Sequence, residues 1–219
     1  MSNPLTLVEE LVLLALDDRS GRLRPMPVLA FSYALAGAQL SELALAGRID
    51  TDPDKLTVLN AAATGDPLLD DALSLISAGP ADETVAHWLG QLSLHSRQTE
   101  DTAIERLIER GVLKRSERKL FWVLGLRRYP TVDNHERIEV LTRLGQLILG
   151  DDLPDPRDAI LLGLLTGAQL AHHIFTGPTY EAHAERMAAL ARMDLVGRAV
   201  GSSVNSIIES LNRTMPPGM

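Results

Sequence analysis

From Ala159 to Leu165 the chain carries seven residues in a row without one polar side chain, two residues after the pair Asp155-Pro156. Aspartate followed by proline is a helix-start signal, because the carboxylate accepts a free N–H and proline fits the first helical position. A helix that is apolar on every face needs neighbours on every face. That requirement points to a mostly α fold, a compact helical body several helices deep.

The remaining sequence supplies those helices. Thr6 and Glu9 are spaced as a capping box ahead of Val8, Leu11, Val12 and Leu14. Further helices are predicted over Val28–Ala46, from Asp66-Pro67 through Leu68–Ile76, and from Asp82 through Trp88 to Leu92. Another starts at Ser96 or Thr99 and stops at Gly111, and later ones cover 135–149, 157–175, 180–193 and 196–212. With 219 residues, the chain is expected to form one domain over 1–219.

Two stretches interrupt the helical pattern, Ile49–Leu59 and Val112–Leu126, and each reads as a hairpin entered from a helix through glycine. They superpose at an offset of 64 residues. Leu40, Leu43, Gly47, Ile49, Lys55 and Leu56 fall on Ile104, Leu107, Gly111, Leu113, Lys119 and Leu120. Charge separates the copies: Asp50 to Lys55 nets −2, whereas Lys114 to Lys119 nets +3. Only the second, a hairpin at about 112–126, suits a phosphate-bearing surface.

Net charge sharpens the contrast. Lys114 to Arg128 nets +5 while the chain totals −8, so the remainder carries −13. Beside the basic turn runs Leu120-Phe-Trp-Val-Leu-Gly-Leu126, which does not alternate as a half-buried strand should. Both of its faces need cover, from the core, from a partner subunit or from lipid. About 3 kcal/mol from three net charges near an anionic leaflet, plus about 1.5–3 kcal/mol from burying Phe121, would give weak, reversible membrane contact. No uninterrupted apolar run approaches the roughly 20 residues of a membrane crossing. Met1 to Pro4 holds no basic residue, so no signal peptide is expected.

Catalytic signals are absent. Zero cysteine removes thiolate metal sites and cysteine nucleophiles. Asp151-Asp152-Leu-Pro-Asp155 has the spacing of an aspartate-rich magnesium motif, but Pro154 and Pro156 break the helix that motif needs. His172 and His173 are adjacent, about 100° apart on a helix, and cannot share one metal. There is no phosphate-binding glycine loop and no nucleophile elbow. The expectation is no enzyme, no metal site and no cofactor.

Several stretches, in order, resemble the Golgi phosphoprotein 3 family, which includes a yeast vacuolar-sorting relative. They are Leu5-Thr-Leu-Val-Glu-Glu-Leu-Val-Leu-Leu-Ala-Leu16, Gln39-Leu-Ser-Glu-Leu-Ala-Leu-Ala-Gly-Arg-Ile49, Thr64-Gly-Asp-Pro-Leu-Leu-Asp-Asp-Ala-Leu73, Glu83-Thr-Val-Ala-His-Trp88 and Glu105-Arg-Leu-Ile-Glu-Arg-Gly-Val-Leu113. The resemblance implies a single helical domain with a protruding hairpin. It also implies non-catalytic recognition of phosphatidylinositol 4-phosphate by a cytoplasmic protein, peripheral at the cytosolic membrane face. By the resemblance, the hairpin serves membrane insertion and homo-oligomer contacts, and a membrane-protein client is a further partner. Arginine outnumbers lysine 18 to 3, which leans toward a GC-rich bacterial genome.

Counting along these motifs, the family's headgroup tryptophan falls near Pro27, its first arginine at Ala36, and its later arginine pair at Arg97 and Glu100. Arg97 is therefore the carried-over headgroup residue, with Arg22 and Arg24 as added cationic candidates. The hairpin candidates are Arg115, Arg118, Lys119, Phe121, Trp122 and Leu124. Two other classes fit a helix followed by a basic hairpin. One is a winged-helix nucleic-acid binder, opposed by overall acidity and by Glu100, Asp101, Glu105 and Glu109. The other is a ligand-free oligomeric assembly module held together by Leu120–Leu126.

Overall fold

Thr6 opens the first helix by reciprocal capping. Its Oγ1 accepts from the Glu9 N–H at 3.2 Å, and Glu9 Oε2 accepts from the Thr6 N–H at 2.8 Å. The helix that follows, α1 (Leu7–Ala15), is buried along its whole length, the two glutamates included. A computed structural model describes residues 4–18, 20–51, 55–81, 83–115, 128–132, 134–150, 154–193, 196, 198–199 and 202.

Around α1 pack α2 (Val28–Leu45), α5 (Ser96–Glu109), α6 (His135–Leu149) and α7 (Pro156–Gly167). α2 also carries α3 (Pro67–Ala78) and α4 (Val85–Ser93), so it runs through the middle of the assembly. Short helices α8 (Ala171–Ile174) and α9 (Pro178–Glu181) lead to α10 (Ala184–Ala191), which packs on α7. The fold is mostly α, with one small antiparallel hairpin among the described residues: β1 (Ile49–Thr51) pairs with β2 (Leu56–Val58), Ile49 opposite Val58. Ala159–Leu165 is buried throughout, as an apolar helix requires.

Burying Glu9 and Glu10 requires partners. Glu10 Oε1 accepts from Arg143 at 2.7 Å and Glu10 Oε2 lies 3.8 Å from Arg157, while Glu9 lies 3.5 Å from Arg110. Arg157 continues to Glu42 at 3.0 Å and Arg143 to Asp158 at 3.2 Å. This chain of charges ties α1, α2, α6 and α7 together.

The offset of 64 is visible in the backbone. Ala46 N–H donates to Glu42, Gly47 to Ala44 and Arg48 to Leu43; Arg110 donates to Arg106, Gly111 to Ile108 and Val112 to Leu107. Each of these three bonds repeats 64 positions on. Gly47 and Gly111 take φ +63° and +77°, a left-handed conformation that glycine adopts at little cost.

Some boundaries differ from expectation. Thr84, not Asp82, caps α4, its hydroxyl accepting from the His87 N–H at 3.1 Å. The helix expected over 157–175 ends at Gly167, because Gln169 has φ +60° and turns the chain before α8. The one expected over 180–193 narrows to α9 and α10. Most of 196–212 lies outside the described residues. α2, at 18 residues, is long and apolar enough to cross a membrane, although most of it is buried inside the protein. Counting only uninterrupted apolar runs overlooked it, since Ser32, Gln39, Ser41 and Glu42 break its sequence.

Candidate functional site

Arg97 stands on the first turn of α5, exposed, its guanidinium without a hydrogen bond or ion pair to another described residue. Its helix is anchored one residue earlier, where Ser96 Oγ and Ser32 Oγ share a hydrogen bond of 3.0 Å between α5 and α2. Ser32 Oγ also donates to the Val28 carbonyl at 3.0 Å. One turn further along α2, Ala36 is only 1% exposed, so that position lies within the packed body. Glu100 follows Arg97 by three residues on the same helix. The guanidinium of Arg97 thus lies beside a closed seam. Neither α2 nor α5 has a side-chain cap at its start, where Pro27 and His95 stand.

Arg22 and Arg24 occupy the turn between α1 and α2. The Arg24 guanidinium is turned inward: it lies 3.8 Å from Asp17 and donates to the His173 carbonyl at 3.5 Å. Arg22 is half-buried, and its backbone carbonyl accepts from the Asp17 N–H at 2.7 Å. This turn touches the far leg of the second hairpin, where the Tyr129 N–H donates to the Gly21 carbonyl at 2.7 Å. The structure therefore joins Arg22 and Arg24 to the foot of the hairpin, and no described contact joins them to Arg97.

That foot is a short antiparallel pairing. Leu113 bridges Thr131, Lys114 N–H donates to Pro130 and Val132 N–H to Val112. The return leg thus runs to Val132, beyond the Leu126 boundary that the apolar run suggested. Arg115, on the outgoing leg, forms an ion pair with Glu105 of α5. Arg118, Lys119, Phe121, Trp122 and Leu124 lie outside the described residues.

Sequence reading missed a cleft of about 450 Å³ between α2, α3 and the α4–α5 junction. Leu68, Ala72, Leu75 and Leu92 form its apolar part, with Asp71, Ser74, His95 and Gln98 among its polar groups. Its residues on α5, Gln98 and Thr99, share a face with His95, while Arg97 is about 200° around the helix from His95. None of the three candidate arginines lines it. No residue pattern signalled it, because its walls come from four separate helices. His172 and His173 have ring centroids 3.9 Å apart, closer than a regular helix would bring them, at a helix of only four residues. Among the described residues no group of three or more His, Asp or Glu is placed to hold a metal.

Among the described residues, a mostly helical body in which a helix–glycine turn is used twice, at Gly47 and Gly111, each followed by antiparallel pairing, defines the class. The family model of Golgi phosphoprotein 3 (GPP34) matches residues 7–207, and the chain belongs to that family. It is similar to the vacuolar protein sorting-associated protein 74 of Eremothecium gossypii, 32% identical over 161 residues, 64% of this chain and 48% of that protein. The chain thus matches about half the length of that relative.

Proposed function

We propose that this chain is a non-catalytic peripheral membrane protein that binds an anionic lipid headgroup of the phosphoinositide type, phosphatidylinositol 4-phosphate being the first ligand to test. The observation that carries this reading is the family match over residues 7–207, joined to a basic segment at 114–128 in an otherwise acidic chain. The same match supports treating 1–219 as one domain. Arg97 adds an exposed guanidinium with no partner among the described residues. Arg22 and Arg24, at the foot of the hairpin, contribute positive potential rather than direct contact, since Arg24 is engaged by Asp17. Homo-oligomer contacts through the hairpin and a membrane-protein client at the cytosolic face complete the proposal.

Binding of the purified chain to vesicles tests these assignments. Removing one cation near an anionic surface costs about 1 kcal/mol, so Arg97→Ala should weaken binding roughly fivefold. Arg118→Ala combined with Trp122→Ala should weaken it further. Unchanged binding in both variants would contradict the assignment of either residue set.

A further inference from the structure

The start of α2 and the α4–α5 junction present an exposed apolar ridge next to Arg97. Val28 is 82% exposed and Leu94 is 77% exposed, and Leu29 is also exposed. Pro25 and Pro27, just ahead of α2, are exposed as well. The Ser32–Ser96 hydrogen bond of 3.0 Å holds the two parts together, because Val28 is one turn from Ser32 and Leu94 two residues from Ser96. Isolated exposed apolar residues need no explanation, but neighbouring ones on two separate helix ends form a patch.

We infer that this ridge, Val28, Leu29 and Leu94, inserts into the headgroup–acyl boundary of a lipid bilayer, as a contact separate from the basic hairpin. The inference rests on the membrane-binding reading and adds to it which end of the helical body faces the lipid. Charge complementarity selects a bilayer as the occupant. The Arg97 guanidinium has no partner among the described residues, and the starts of α2 and α5 bring the positive ends of two helix dipoles to the same edge. The ridge stands on helix ends, and the described cleft opens on the other side of α5. Projecting apolar side chains beside an exposed guanidinium and two helix starts match a fluid, anionic surface.

The chain has no cysteine, so a single Leu94→Cys variant can carry one environment-sensitive nitrobenzoxadiazole label. A label at Leu149→Cys, at the far end of α6, serves as the comparison. With vesicles of phosphatidylcholine that also contain phosphatidylserine and phosphatidylinositol 4-phosphate, the label at position 94 should shift to the blue and be quenched by nitroxide near the acyl-chain start, and the label at 149 should not. Val28→Asp with Leu94→Asp should lower vesicle partition at least about tenfold. Flotation with a water-exposed label at 94 would overturn this inference and leave lipid binding standing. Failure to float at all would overturn both. Burial of the label on raising protein concentration without vesicles would assign the ridge to a second copy and also overturn it.

Discussion

The hydroxyls of Ser32 and Ser96 meet at 3.0 Å where α2 crosses the start of α5, and the two residues are 64 positions apart, the same offset that relates the two helix–glycine–hairpin units. Equivalent positions of the two units thus touch each other. The contact closes the seam on which Ala36 lies buried and leaves Arg97 as the cation beside it. Replacing the acid one turn on from Arg97, Glu100→Arg, changes local charge by two. It should strengthen binding to acidic vesicles by about 2 kcal/mol, roughly 30-fold at low salt. Ala36→Arg, by contrast, forces a long charged side chain into the packed body and should cost about 1–3 kcal/mol or more of stability. Thermal melts and vesicle titration of both variants check this.

Gly21 couples the α1–α2 turn to the hairpin foot. Its φ is +63°, and a Cβ there would lie 2.7 Å from the Pro130 nitrogen and 2.8 Å from the Tyr129 carbonyl carbon. Gly21→Ala should therefore lose about 2–4 kcal/mol, seen as a fall in Tm of roughly 4–16 °C. Hydrogen exchange at the Tyr129 amide should accelerate in the same variant.

Arg137 is 4% exposed and closes the end of α1 from a distance, donating to the Leu13 carbonyl at 2.6 Å and to the Leu16 carbonyl at 2.9 Å. Burial lowers its pKa from the usual arginine value, with repulsion from Arg24 adding to the effect, yet a guanidinium stays charged. Arg137→Met keeps much of the volume and leaves both carbonyls without that donor. A loss of about 2–4 kcal/mol is expected, measured by denaturant unfolding.

Glu10 sets a pH dependence. Burial raises its pKa above the ordinary 4.5, and the hydrogen bond from Arg143 with the charges of Arg157 and Arg143 only partly opposes this. Between 4.5 and the folded value, the folded protein holds a proton that the unfolded chain has released. The stability contribution of Glu10 is therefore fully present below 4.5 and is lost as pH rises through the folded pKa. Relative to Glu10→Gln, the wild type should gain stability as pH falls from neutrality through the raised pKa toward 4.5. A constant difference across that range would contradict the assignment. Asp66 has the opposite sign. Burial would raise its pKa, but the Arg106 pair at 2.7 and 2.8 Å and the Leu68 and Leu69 amides outweigh it and hold it below 3.8. Its contribution is present above 3.8 and lost as pH falls through the lowered value.

Local chemistry was the legible part of this fold. Thr6 with Glu9, Asp66-Pro67 and Asp155-Pro156 each cap the helix their spacing indicates, since a capping side chain acts within three residues. The start at Thr84 was missed, because Asp82 is an equally good capping residue type and spacing alone does not rank the two. The burial of Glu9 and Glu10 was not legible: their partners Arg110, Arg143 and Arg157 are more than 90 positions away, and only the tertiary fold brings them near. For the same reason Arg24, which looked like free charge, is engaged by Asp17 and His173. The exposed ridge at Val28 and Leu94 escaped notice because each residue sits in a sequence that reads as ordinary helix.

Flotation of the purified full chain on a density gradient tests lipid recognition most directly. Vesicles of phosphatidylcholine alone would be compared with vesicles that also contain phosphatidylinositol 4-phosphate, and with others that contain phosphatidylserine. Recovery in the top fraction with at least one acidic composition, and none with phosphatidylcholine alone, is the predicted result. Equal recovery with neutral and acidic vesicles, or none with any of them, would contradict the account.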